Sequence, residues 1–328
     1  MVGNGIKMQD RFNRQINYMR ISVTDRCNLR CFYCRGVKDF VFIPHEEILS
    51  YEEILYLARL ALRSGIDRFR LTGGEPLLRK GLSSLISGIL AFPGVKDISL
   101  TTNGILLEEY LEELKAAGLR RLNVSLDTLD RKKFQQITGV DALERVLKGL
   151  RKAQQAGFDP IKVNVVLLRS VNDGEDVERF LALAFELPVH VRFIELMDFS
   201  PVGGYFVPAT EVIERIQKKY RLEEVDIPGS GPARRHFRIA GMKGSFGFIA
   251  PLSHHFCGSC NRLRLSADGK LRICLFSEKT VDLKKMLRAG AGEEEILEAM
   301  TGALAEKPGS WQESGTGKNR NGLRSIGG

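Results

Sequence analysis

Between Asn17 and about Tyr220, six short β-rich runs alternate with helical stretches, and this alternation constrains the fold more than any other feature. The runs are Tyr18–Thr24, Arg68–Thr72, Asp97–Thr102, Arg121–Asp127, Ile161–Leu168 and His190–Met197. Helical periodicity marks Tyr51–Ser64, Glu108–Ala117, Ala142–Gln155 and Glu175–Phe185. Ahead of the first helix Ser50 is a suitable N-cap, with Glu53 three residues on and Gly65 at the far end. Repeated strand–helix units dictate an α/β fold with a parallel sheet. Six units fall short of a closed eight-fold barrel, so a partial barrel fits as well as a doubly wound sheet. Both place ligands at the C-terminal strand ends, where Thr72-Gly73-Gly74-Glu75-Pro76, Thr101-Thr102-Asn103-Gly104, Ser125 with Asp127, and Met197 fall.

The stretch Asp226–Pro232 reads as a linker, and the strands beyond it are shorter. A helical piece follows from Asp282 to Ala305, and the glycine-rich end from Gly309 to Gly328 reads as a flexible tail. The expected division is 1–225, 226–308 and 309–328. No apolar run approaches the ~18 residues that span a bilayer, and Met1–Arg20 lacks the apolar core of a secretory signal. The chain therefore reads as cytoplasmic. Its net charge of +9 favours an anionic ligand without choosing between nucleotide and nucleic acid.

The six cysteines fall in two groups of three: Cys27, Cys31 and Cys34, then Cys257, Cys260 and Cys274. Core cysteines placed at random would not segregate this way, so metal ligation is the leading reading. Structural zinc wants four protein ligands, and no histidine lies inside the first loop. A four-iron cluster can rest on three thiolates and keep one iron open to a small molecule. The second group is more ambiguous, because His254 or His255 could complete a Cys3His zinc site.

Basic residues in the expected strands add a second signal. Arg68 and Arg70 are two apart and project from one face, as do Arg262 and Arg264, while Lys162 lies in another strand. Charges on the inner face of a barrel need partners, and a triphosphate would supply them. The blander reading is a set of charges at solvated strand ends.

Three features carry a resemblance to radical S-adenosylmethionine enzymes: the Cys27–Cys34 spacing, Tyr33 before its last cysteine, and Gly73-Gly74-Glu75-Pro76 at a strand end. Longer matches are more specific. The run Asn17–Cys34 (NYMRISVTDRCNLRCFYC), Phe42–Ser50 (FIPHEEILS), Asn261-Arg262-Leu263-Arg264 after the second cysteines, and the terminal Gly327-Gly328 resemble the GTP 3′,8-cyclase family of molybdenum cofactor biosynthesis. Arg35-Gly36 stands where that family usually has Met-Pro, and Trp311–Asn321 matches its tail poorly.

The resemblance implies a partial (β/α)6 TIM-type barrel with a smaller C-terminal α+β domain that holds a second cluster. It implies two [4Fe-4S] clusters, on Cys27, Cys31 and Cys34 and on Cys257, Cys260 and Cys274. S-adenosylmethionine would sit beside Tyr33, Gly74, Ser125 and Met197. GTP would contact Arg20, Arg70, Thr101, Lys162, Arg262 and Arg264, with Arg262, Arg264, Gly327 and Gly328 supporting catalysis. A radical derived from S-adenosylmethionine would remove hydrogen from C3′ of GTP, and the resulting carbon radical would attack C8 of guanine. A low-potential electron donor, a downstream cyclic pyranopterin monophosphate synthase and a homodimer are the implied partners, with neither membrane nor nucleic acid among them. The competing readings are a radical enzyme acting on RNA or peptide and a zinc-stabilised nucleic-acid-binding protein.

Overall fold

The computed structural model describes residues 8–34, 41–197, 204–227 and 235–314. Its strands are β1 (Tyr18–Ser22), β2 (Arg68–Thr72), β3 (Asp97–Thr102), β4 (Arg121–Ser125), β5 (Ile161–Leu167), β6 (Val189–Glu195), β7 (Glu223–Val225), β8 (Arg235–Arg238), β9 (Ser245–Ile249), β10 (Arg262–Leu265), β11 (Lys270–Arg272) and β12 (Thr280–Asp282). The helices are α1 (Tyr51–Arg63), α2 (Leu82–Leu90), α3 (Leu107–Ala116), α4 (Arg131–Thr138), α5 (Leu143–Gln155), α6 (Glu175–Glu186), α7 (Ala209–Gln217), α8 (Leu283–Arg288) and α9 (Glu293–Ala305).

All twelve strands form one sheet in the order β12-β11-β10-β1-β2-β3-β4-β5-β6-β9-β8-β7. Strands β1 to β6 are parallel and sequential, which decides between the two expected architectures. A doubly wound sheet reverses its strand order at a switch point; this one never does, so it is the partial barrel. Strand β10 joins parallel to β1 and β9 parallel to β6. The chain beyond residue 226 therefore extends both edges of the barrel sheet instead of building a sheet of its own.

Alternation along the strands separates two faces. Met19, Ile21, Phe69, Leu71, Leu122, Val124, Val163, Val165, Val191 and Phe193 face outward and are fully buried in the hydrophobic core. Each such side chain contributes about 1.5–3 kcal/mol by leaving water. The opposite face carries Arg20, Arg70, Thr101, Ser125, Asn164 and Arg192 into the barrel.

Local signals explain the helix boundaries. The capping box before α1 is formed in both directions: Glu53 N–H donates to Ser50 Oγ at 3.1 Å, and Ser50 N–H to Glu53 Oε2 at 2.7 Å. The expected single helix from Asp282 to Ala305 is instead two. Gly290 adopts φ 82° between α8 and α9, a left-handed conformation that ends a helix. The expected flexible tail also starts later than Gly309. Arg14 donates to Pro308 O at 2.7 Å, Gly309 N–H donates to Glu313 Oε2 at 2.8 Å, and a short 3-10 turn covers Gln312–Ser314. Most of the expected linker, all of 315–328, and Arg35-Gly36 lie outside the described residues.

Candidate active site

One cavity of about 470 Å³ opens at the C-terminal ends of the strands and is lined by all six cysteines. The pairing of β10 with β1 brings the two groups together, because it sets Tyr18 beside Arg262 and Arg20 beside Arg264. Cys27, Cys31 and Cys34 follow β1, and Cys257 and Cys260 precede β10. Among the described residues no three His, Cys, Asp or Glu side chains converge on a point that would hold a single metal ion.

The first triplet is held by backbone pairing with the Gly73-Gly74 turn. Gly74 N–H donates to Thr24 O and Glu75 N–H to Arg26 O, both at 2.7 Å. A Cβ on Gly74 would lie 2.1 Å from Arg26 O, so only glycine permits this approach. The sequence suggests close approach to a ligand at Gly74; in the structure its nearest neighbour is the chain's own cysteine loop. Glu75 is fully buried, and its carboxylate accepts from Thr102 Oγ1 at 2.8 Å and Asn103 N–H at 2.6 Å. Burial pushes this carboxyl up to about 7, against the pull of those hydrogen bonds. Asn103 in turn donates to Asn28 Oδ1 at 2.7 Å and reaches Cys27 Sγ at 3.8 Å, and Leu29 N–H reaches the same sulfur at 3.4 Å. Tyr33 OH donates to Asp127 Oδ2 at 2.6 Å, and Asp127 is buried and pushed up to about 6.

The second triplet is tied down by two buried cations. Arg14, paired with Asp10 at 2.5 Å, donates to Cys257 O at 2.7 Å. Lys307 donates to Arg262 O at 3.0 Å and to Ile273 O, joining the chain after Cys260 to the chain before Cys274. Ser314 Oγ reaches Cys274 Sγ at 3.7 Å. These three-thiol sets, half-buried and met by N–H and O–H donors, fit iron–sulfur ligation. The expected zinc-completing histidines point elsewhere. His254 and His255 line a separate, smaller cavity, and His255 Nδ1 accepts from Trp311 Nε1 at 2.9 Å.

Between the triplets lies a cationic floor. Arg264, Arg20 and Arg70 form one row across β10, β1 and β2, each in register with the next. Arg192 Nη2 donates to neutral Asn123 at 2.6 Å and Arg70 Nε to neutral Ser99 at 3.2 Å. Arg192 Nε and Arg264 Nε have no hydrogen-bond partner among the described residues. Burial pushes Arg264 down to about 10 and Arg192 to about 9, with neighbouring arginines adding to the effect on Arg192. Like charges in register repel unless an anion sits among them.

Of the expected site residues, Tyr33, Gly74, Ser125, Met197, Arg20, Arg70, Thr101, Arg262 and Arg264 all line this cavity. Lys162 does not. It shares the inward face but sits near the start of β5, beneath the lining, where burial and then Arg192 push it down to about 6. Gly327 and Gly328 lie outside the described residues. Arg192, Asn164 and Trp311 line the cavity without being singled out from the sequence. Arg192 carried the same signal as Arg68 and Arg70, a charge at alternate positions of a strand.

Residues 21–184 match the Radical SAM superfamily model, and residues 189–313 match the model described as Molybdenum Cofactor Synthesis C. The GTP 3′,8-cyclase of Thermodesulfovibrio yellowstonii is 48% identical over 309 residues, 92% of this chain and 94% of the relative. That of Moorella thermoacetica is 50% identical over 305 residues, again 92% of this chain and 94% of the relative. The chain belongs to the GTP 3′,8-cyclase family. Membership of the radical enzyme superfamily makes S-adenosylmethionine and iron–sulfur chemistry its cofactors. Among solved structures, Streptococcus suis SuiB bound to its precursor peptide SuiA superposes with a TM-score of 0.60 at 14% identity. That match covers 90% of this chain and 66% of SuiB, just under two thirds of its length, and speaks for the fold alone. Among the described residues no helix is long and apolar enough to cross a membrane.

Proposed function

We propose that this cavity converts GTP to (8S)-3′,8-cyclo-7,8-dihydroguanosine 5′-triphosphate, the first step of molybdenum cofactor biosynthesis. The observation that carries the reading is the row Arg264–Arg20–Arg70 on the cavity floor. Three guanidinium groups in register on one face match a polyanion of the size of a triphosphate.

The chain up to 225 supplies S-adenosylmethionine contacts from Tyr33, Gly74, Ser125 and Met197, and a four-iron cluster on Cys27, Cys31 and Cys34. Residues 226–308 supply a second cluster on Cys257, Cys260 and Cys274. Held by Cys27, Cys31 and Cys34 and beside Tyr33, Gly74, Ser125 and Met197, the cluster and S-adenosylmethionine would supply radical chemistry at the ribose. The remaining tasks belong to side chains. Arg20, Arg70, Arg262 and Arg264 hold the nucleotide with Thr101 beside them, and Lys162, which burial pushes down to about 6, takes up a proton beneath the floor when the triphosphate binds. The barrel walls keep water and stray hydrogen donors from the radical. Gly327 and Gly328 support the step with GTP. A low-potential reductant, a cyclic pyranopterin monophosphate synthase that takes the product, and a second copy of the chain complete the proposed partners.

The test is anaerobic incubation of reconstituted protein with S-adenosylmethionine, a strong reductant and GTP deuterated at C3′. Label should appear in 5′-deoxyadenosine together with the cyclised nucleotide. Transfer only from another deuterated position would refute the regiochemistry.

A further inference from the structure

The cavity has two chemically different ends. Arginines of β1, β2, β6 and β10 form the floor, whereas Phe256, Phe276 and Trp311 gather beside the second cysteine group. Trp311 is the only tryptophan in the chain. Two neighbours hold its ring. Nε1 donates to His255 Nδ1 at 2.9 Å, and the Phe276 ring stands 5.3 Å away at 37°. With Nε1 committed to His255, the part of Trp311 left to the cavity is the π surface of a half-buried indole. A nucleoside triphosphate has the matching shape, a polyanion at one end and a planar aromatic base at the other. Stacking on a fixed indole is how proteins grip a base without reading its edge.

We infer that Trp311, backed by Phe276, stacks on the purine of the substrate and so positions the base against the second cysteine group. The inference rests on the GTP reading above and extends it to a named residue. It makes Trp311 a positioning residue whose contribution is to affinity for the base. Because its N–H is already used, the ring should serve GTP and ITP alike.

The experiment is equilibrium dialysis with the anaerobically reconstituted full chain, using GTP, ITP and ribose 5-triphosphate, which carries the charge but no base. Trp311→Leu should weaken GTP and ITP roughly tenfold, the scale of one lost base–aromatic stack. Trp311→Phe should restore most of that loss, and ribose 5-triphosphate should bind wild type and both variants equally. Iron content and S-adenosylmethionine binding should stay at wild-type levels. Unchanged GTP binding in Trp311→Leu overturns the inference, and so does an equal loss of GTP and ribose 5-triphosphate, which marks a merely structural role. Should the leucine variant lose its iron, the wild-type chain decides. Emission from its single tryptophan should change on adding GTP but not ribose 5-triphosphate, and no change with either overturns the stacking. A wild-type chain that takes up no GTP overturns the substrate reading itself.

Discussion

Replacing Gly74 with alanine should detach the first cluster site while leaving the second in place. The added Cβ would stand 2.1 Å from Arg26 O, 2.6 Å from Arg26 C and 2.9 Å from Asp25 C. All three are backbone atoms, so no side-chain rotation relieves the clash. Restoring an ordinary carbon–oxygen separation of about 3.3 Å requires the two segments to part by ~1 Å. The bonds Gly74 N–H to Thr24 O and Glu75 N–H to Arg26 O, each 2.7 Å, would then exceed hydrogen-bonding distance. Two buried backbone hydrogen bonds lost at about 1–3 kcal/mol each amount to roughly 2–6 kcal/mol. That is within the stability of a typical domain of about 5–15 kcal/mol, so the barrel should survive while the Thr24–Cys34 loop loses its anchor. The assay is iron per chain after anaerobic reconstitution, alongside S-adenosylmethionine binding. Gly74→Ala should lose about half of the ~8 irons expected of two four-iron clusters. Gly302→Ala in α9 is the control, since a Cβ there meets nothing within 4 Å and the site is away from both cysteine groups, and it should keep full iron. Full iron and undiminished S-adenosylmethionine binding in Gly74→Ala would show that the loop does not depend on this contact.

Four further outcomes are expected. Replacing Cys27, Cys31 and Cys34 together with alanine should also remove about half of the iron, and an unchanged iron content would refute the assignment of two clusters. Arg14→Met leaves Asp10 buried without its cation and Cys257 O without its donor, so the chain should unfold about 3–5 kcal/mol more easily in urea; a loss below ~1 kcal/mol would mean that the pair is dispensable. Glu75 binds its proton more tightly folded than unfolded, because burial raises it from 4.5 to about 7. The stability of wild type relative to Glu75→Gln should therefore be greatest near pH 4 and fall as pH rises through about 7, and a difference that is flat across this window in urea titrations contradicts the raised value. Deleting Gly327 and Gly328 should leave iron and S-adenosylmethionine binding intact but abolish the cyclised nucleotide, and full product from the truncated chain would show that the pair is dispensable.

Much of this protein could be read along the chain because the information is local. Period-two alternation placed Arg68 with Arg70 and Arg262 with Arg264 on shared faces, and the Ser50–Glu53 capping box marked the start of α1 to the residue. Cysteine spacing set the six cysteines in two groups of three. Pairing between distant segments was not legible, because register depends on which strands meet and local periodicity carries no record of that. Only the parallel docking of β10 on β1 put Arg264 in a row with Arg20 and Arg70 and gathered six cysteines around one cavity. The same holds for Arg14, which meets Cys257 O across the fold, and for Trp311, whose place on the cavity wall comes from contacts with His255 and Phe276. Depth along the barrel axis was equally hidden. Lys162 and Asn164 share a face in sequence, but Lys162 enters β5 at its buried start and Asn164 sits two residues nearer the open end, so only Asn164 reaches the cavity lining. The kinds of chemistry were set by residue identity and spacing; their convergence on one site was set by long-range strand pairing.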